Sequence, residues 1–129
     1  MTDMPTISVR YIVDDVASAI EFYTGHLGFE LEMHPGPGFA ALTRDGFRFY
    51  LNATGGPGGA SQAMPDGRVP EPGGWNRIRI EVTDLAAHAE KLRKAGVTMR
   101  SDIIEGRGGK QLIVDDPAGN PVELFEPKR

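Results

Sequence analysis

One pattern occurs twice in this chain, at a constant separation. Val16, Ile20 and Tyr23 recur 69 residues later as Leu85, Ala89 and Leu92, each set at the spacing of one helix face. The flanking residues repeat as well. Ile7 to Val13 alternates, with Ile7, Val9, Tyr11 and Val13 on one face and Ser8, Arg10 and Ile12 on the other. Sixty-nine residues on, Ile78, Ile80 and Val82 face one way and Arg77, Arg79 and Glu81 the other. Each strand then meets a helix N-cap candidate, Asp14-Asp15 or Asp84, and each helix pattern stops at a glycine, Gly28 or Gly96.

Three short strands follow each helix. In the first half they are Phe29 to His34, Phe39 to Thr43 and Phe47 to Asn52, separated by Pro35-Gly36-Pro37-Gly38 and by the hairpin signal Asp45-Gly46. In the second half they are Val97 to Ile104, Gln111 to Val114 and Pro121 to Phe125. The last two flank Asp115-Asp116-Pro117-Ala118-Gly119-Asn120, where Asp-Pro starts a turn and Gly119 and Asn120 tolerate positive φ. The halves, 6–53 and 75–127, are too small to bury a core alone, so they are expected to pair within one 129-residue domain. Between them, 54–74 is eleven parts in 21 Gly or Pro and reads as a linker without regular structure. The expected fold class is α+β: two βαβββ modules forming a curved mixed sheet. With a helix on one face of each module, the other faces line an open concave groove. Val9, Tyr11, Val13, Ile20, Tyr23, Phe49, Ile78, Ile80, Val82, Leu92, Leu112, Val122 and Leu124 form the expected core.

Bulk properties exclude several roles. A net charge of -4 does not suit a non-specific nucleic-acid binder. With no cysteine, there is no disulfide, no thiolate metal site and no cysteine nucleophile. No apolar run approaches membrane-spanning length, and Met1 to Pro5 lacks a basic and apolar signal, so a cytoplasmic location is the default expectation.

Alternation puts Ser8, Arg10, Arg48, Tyr50, Asn52, Arg77, Arg79, Glu123 and Phe125 on the groove side. Glu123 stands out as a carboxylate between apolar Val122 and Leu124. It is either an ordinary solvated strand residue or part of a site. Four arginines converging on one concavity suit an anionic or planar aromatic ligand, through forked hydrogen bonds and stacking; the alternative is that several sit at sheet edges and extend into water. His26 and His88 fall on solvated helix faces, and His34 at a strand end.

The order of these pieces resembles the vicinal oxygen chelate superfamily, which includes glyoxalase I, extradiol dioxygenases, methylmalonyl-CoA epimerase, fosfomycin-resistance enzymes and bleomycin-binding proteins. The resemblance rests on Val13-Asp14-Asp15 with Ile20-Glu21-Phe22-Tyr23 and Leu27-Gly28-Phe29. It rests also on Val82-Thr83-Asp84-Leu85 with Lys94-Ala95-Gly96-Val97, and on Asp116-Pro117-Ala118-Gly119-Asn120 before Val122-Glu123-Leu124. Metal-dependent members of that family place His or Gln on the first strand, Glu on the fourth, His on the fifth and Glu on the eighth. The matching positions here are Ser8, Tyr50, Arg77 and Glu123. One carboxylate facing an arginine will not hold a divalent ion, so the resemblance implies no metal site and no cofactor. It implies a homodimer, because relatives commonly pair modules between chains. The expected function is metal-free binding of a small molecule, sequestering a drug or metabolite. The alternatives are a lyase, isomerase or dioxygenase of the same superfamily, either metal-dependent with unusual ligands or with Glu123 and Tyr50 as acid and base, or a partner-binding regulatory module.

Overall fold

The helix residues that carry the repeat sit where their spacing puts them. Val16, Tyr23, Leu85, Ala89 and Leu92 are buried and Ile20 is half-buried. This computed structural model describes residues 6–56 and 58–129; the N-terminal stretch Met1 to Pro5 and Pro57 of the 54–74 linker lie outside the described residues. The chain divides into two compact units, Met1–Pro72 and Gly73–Arg129.

In the first unit, β1 (Val9–Val13) leads into helix α1 (Val16–His26), followed by β2 (Glu30–Gly36), β3 (Phe39–Arg44) and β4 (Phe47–Ala53). The sheet order is β1-β4-β3-β2, with β1 parallel to β4 and the other pairs antiparallel. Local chemistry sets the boundaries. Asp15 takes a 2.6 Å hydrogen bond from the Ser18 hydroxyl in the first turn of α1. At its far end Gly28 adopts φ 74°, and the Leu27 and Phe29 amides both donate to the Tyr23 carbonyl at 3.2 Å. Asp45 and Gly46, at φ 49° and 82°, make the two-residue turn that pairs Arg44 with Phe47. The core is aromatic. Tyr23 meets Tyr11, Phe22, Phe29 and Phe49 edge-on, with ring centroids 6.4, 5.0, 5.7 and 4.9 Å away.

The second unit runs β5 (Ile78–Glu81), helix α2 (Leu85–Lys94), β6 (Thr98–Met99), β7 (Ile104–Glu105), β8 (Gly109–Asp115) and β9 (Pro121–Pro127). Its sheet order is β5-β9-β8-β6, with β7 also on β8, and again the first and last strands are parallel. Asp84 caps α2 by accepting from the Ala87 amide at 3.1 Å. Glu126, on β9, accepts the Leu85 amide at 2.8 Å, so strand and helix are joined at a second orphan donor. Ile80, Leu85, Ala89, Leu92, Leu112, Val114, Val122 and Leu124 form the core.

The turn between β8 and β9 is held from inside. The Asp116 carboxylate accepts the Ala118 and Asn120 amides, both at 2.9 Å, while Gly119 supplies the left-handed residue at φ 89°. Asn120 keeps ordinary backbone and works by its side chain, accepting the Gly73 amide at 2.7 Å. Arg100 ties the surroundings together. Its guanidinium donates to Asp115 at 2.7 Å, to the Gly74 carbonyl at 2.6 Å and to the Gly119 carbonyl at 2.9 Å. The same group lies 4.6 Å from the centre of the Trp75 ring.

Several expectations need correction. The strand expected over Val97 to Ile104 is two short pieces. Between them the Arg100 and Ser101 amides both donate to the Ile113 carbonyl, and the Ser101 hydroxyl accepts from the Ile113 amide. That doubled register is a bulge, and it frees Arg100 to reach the turn. In the first unit, β2 continues through Pro35 to Gly36. Proline is tolerated there because β2 is an edge strand, where a missing amide donor leaves no ladder bond broken. The 54–74 stretch contains a 3-10 turn, Gly59–Ser61. Of the expected core, Val9, Ile20, Ile78 and Val82 are only half-buried, whereas Phe22, Phe29, Leu42 and Leu51 are buried.

Arg100 and Asp115 are mostly buried, so removing the guanidinium leaves a carboxylate and two carbonyls short of donors. Arg100→Ala is expected to destabilise the fold by about 2–4 kcal/mol. Arg100→Lys, which keeps the charge and loses the fork, is expected to fall between. Urea unfolding with an unchanged slope is the measurement; a loss under about 0.5 kcal/mol would show that the turn holds without Arg100.

Candidate functional site

In the first unit, α1 takes one face of the sheet through Phe49 and Leu51, which sends Arg48, Tyr50 and Asn52 to the other. Register then brings the candidates together. Arg10 lies opposite Tyr50 across the parallel β1–β4 pair, with its guanidinium 5.3 Å from the ring centre. Phe39 flanks Tyr50 at 5.8 Å between ring centres. Arg48 forms a 3.3 Å ion pair with Glu32 on β2. A hydrogen bond to the Tyr50 phenol, helped by the Glu32 charge, pushes the Arg48 pKa above its already high ordinary value. Arg10 pairs with no carboxylate among the described residues. Asn52 is 3% exposed, the most buried polar member of the set. Ser8 is exposed, just ahead of β1, and touches none of the others through a hydrogen bond.

In the second unit the core side belongs to Ile80, Val122 and Leu124, and the opposite face carries Arg77, Arg79, Glu123 and Phe125. Arg77 grips Glu123 with two donors, Nε at 3.0 Å and Nη2 at 2.8 Å, both on Oε1. Its remaining arm donates to the Trp75 carbonyl at 3.1 Å. Glu123 is 8% exposed, so this is a largely desolvated pair and not a solvated strand carboxylate. Arg79 covers the Phe125 ring at 4.3 Å.

Each unit therefore presents a guanidinium laid on an aromatic ring beside a buried polar side chain. Sequence reasoning missed Phe39, Glu32 and Trp75. Phe39 was legible in principle, since it opens a strand opposite Asn52. Trp75 is the chain's one tryptophan, yet it is 66% exposed and held by Arg100, a residue 25 positions away that no local pattern flags.

The four positions that match the metal ligands of metal-dependent relatives do not form a donor set. Tyr50 is engaged by Arg10 and Arg48, and the Glu123 carboxylate faces a permanently charged guanidinium. Among the described residues, no three His, Asp or Glu side chains gather as metal ligands would.

Two units of this topology, each a mixed sheet with one helix and parallel first and last strands, define an α+β repeat fold. The profile of the Glyoxalase/Bleomycin resistance protein/Dioxygenase superfamily matches residues 7–124, and the chain belongs to that family. An uncharacterized protein of Mycobacterium bovis is 33% identical over 97% of this chain and 85% of its own length. A superfamily member from Sphaerobacter thermophilus has a structure that superposes with TM-score 0.72 at 26% identity, over 95% of this chain and 98% of that one. An antibiotic binding protein from a Streptomyces species, TnmS3, superposes with TM-score 0.70 at 22% identity, over 99% and 100%. The bleomycin-binding protein of Streptomyces verticillus, solved with copper(II)-bleomycin, gives TM-score 0.63 at 23% identity over 99% and 100%.

Arg77→Ala strands the Glu123 carboxylate in its desolvated place. It is expected to lower stability by about 1–3 kcal/mol, and Glu123→Gln in the same chain is expected to restore part of that. Melting temperatures of both single variants and the double variant measure the coupling; strictly additive losses would mean that the two side chains act independently.

Proposed function

We propose that this protein binds a small planar or anionic organic molecule without a metal, and that its role is sequestration. The observation that carries this reading is the Arg77–Glu123 pair: a fixed cation occupies the donor position where metal-dependent relatives would bring an ion. Each unit, taken by itself, carries a face suited to such a ligand. Arg10 on Tyr50 with Phe39, and Arg79 on Phe125, are flat surfaces with forked donors at their margins. The antibiotic-binding neighbours show that this fold supports such a role elsewhere. In our reading the two units belong to a single domain, the chain works as a homodimer, and its place is the cytoplasm. Acid–base catalysis by Glu123 fits less well, because its Oε1 is already occupied by two guanidinium donors of Arg77.

Native mass spectrometry of the purified protein reports retained ligand, metal and assembly mass together. A retained organic ligand, or binding of an aromatic acid or bleomycin-type antibiotic from a screened panel, is the expected result. Arg77→Ala is expected to weaken that binding about 10- to 150-fold, the value of a charge-assisted forked contact. One equivalent of a transition metal, lost on Glu123→Gln, would overturn the metal-free reading. Unchanged affinity in Arg77→Ala would remove the second unit's face from the site.

A further inference from the structure

Asn52 differs from its neighbours on the same strand face. Arg48 is exposed and Tyr50 half-buried, but Asn52 is almost wholly enclosed. The chain that leaves β4 causes this. The Gly55 amide donates to the Ser61 carbonyl at 3.0 Å and the Ser61 amide to the Gly58 carbonyl at 3.1 Å, which draws the turn Gly59–Ser61 back beside the strand end. A methyl group on Gly58 would come within 3.3 Å of the Asn52 amide nitrogen, so glycine lets the backbone lie close against that side chain. Ser61, at the end of the turn, is fully buried.

The enclosure is chemically incomplete. Asn52 Oδ1 and Ser61 Oγ are both buried, and neither has a hydrogen-bond partner among the described residues. Buried polar atoms are nearly always paired, so an amide oxygen and a hydroxyl without a partner among the described residues call for a water or a ligand group. Packing does not require either group, since an apolar side chain of similar size fills such a place without the desolvation cost. The complement can be specified. Asn52 Oδ1 only accepts, so the incoming group must donate; Ser61 Oγ both donates and accepts. A hydroxyl or a primary amide answers either demand. Asn52 carries no charge, which favours a neutral donor over a cation. Next to it lie Phe39, its register partner, and Tyr50 under the Arg10 guanidinium.

Building on the small-molecule reading above, we propose that Asn52 and Ser61 are a specificity-determining subsite for a hydroxyl or carboxamide carried on the far end of an aromatic acid. The ring stacks on Tyr50 and Phe39, the acid takes the Arg10 fork, and the neutral donor enters beneath the Gly59–Ser61 turn. The two polar atoms then read the presence of a donor, in the way that a site built to hydrogen-bond a group rejects the analogue lacking it.

Two probes of nearly equal size that differ in that donor test the subsite: 6-hydroxy-2-naphthoic acid and 6-methyl-2-naphthoic acid, titrated calorimetrically into the full chain. The wild type is expected to prefer the hydroxy acid by about tenfold or more, one charge-free hydrogen-bond pair. Asn52→Leu is expected to lose that preference while its melting temperature holds or rises, because an unpaired buried amide has gone. A purely structural asparagine would instead lower the melting temperature and leave the preference intact, which overturns the proposal. Ser61→Ala provides a second variant and is expected to reduce the preference by a smaller factor. Equal binding of both acids by the wild type overturns the subsite and leaves the small-molecule reading standing. If neither acid binds, the proposed subsite falls, and the small-molecule reading is decided by the retained-ligand and panel measurements.

Discussion

Each unit of this protein has one α-helix and one sheet, so only one face of each sheet is sealed by the unit's own helix. This constraint organises the remainder. Phe49 and Leu51 in the first unit, and Val122 and Leu124 in the second, go to the helix side and make the core. Alternation then commits their neighbours to the other side, where Arg10, Tyr50, Asn52, Arg77, Glu123 and Phe125 stand. A face left to amphipathic side chains must satisfy them locally. The structure does so by laying guanidinium groups on rings and by closing Arg77 onto Glu123.

Much of this was legible in the sequence. The constant separation of Val16, Ile20 and Tyr23 from Leu85, Ala89 and Leu92 set the duplicated organisation, and period-two alternation separated Ile80 from Arg79. Turn chemistry was read well at Asp45-Gly46, where both residues take positive φ. It was read in part at Gly119-Asn120, where only glycine does and Asn120 serves as an acceptor. What escaped was anything that depends on long side chains reaching across the chain. Arg100 joins Asp115, Gly74, Gly119 and Trp75, and none of these is its neighbour in a helical or strand period. The split of the strand after α2 escaped for the same reason, since it follows from the doubled pairing at Ile113.

The candidate site shows the difference between placing a residue and knowing its state. Alternation assigned Glu123 to the polar face but left open whether water or protein surrounds it. The answer lies in the 8% exposure and the two Arg77 donors. Such a pair costs desolvation at both ends, which good geometry offsets without large net gain. Its effect is orientation: the guanidinium is fixed by Glu123 and the Trp75 carbonyl and has already lost its rotamer freedom.

The parallel pairing of first and last strands has a consequence for how the chain reaches this state. Val9 meets Phe49 forty residues away, and Ile78 meets Val122 forty-four away. The β3–β4 and β8–β9 hairpins span short turns with strong local chemistry and close on the microsecond scale. β1 and β5 join only when a whole unit's chain has been brought round, so each sheet is completed at its most entropically demanding contact. Arg10 and Arg77 ride on or beside those late strands. The polar face that carries these two arginines is thus completed by the contacts of longest range in each unit, and a partly unfolded chain presents hairpins without it.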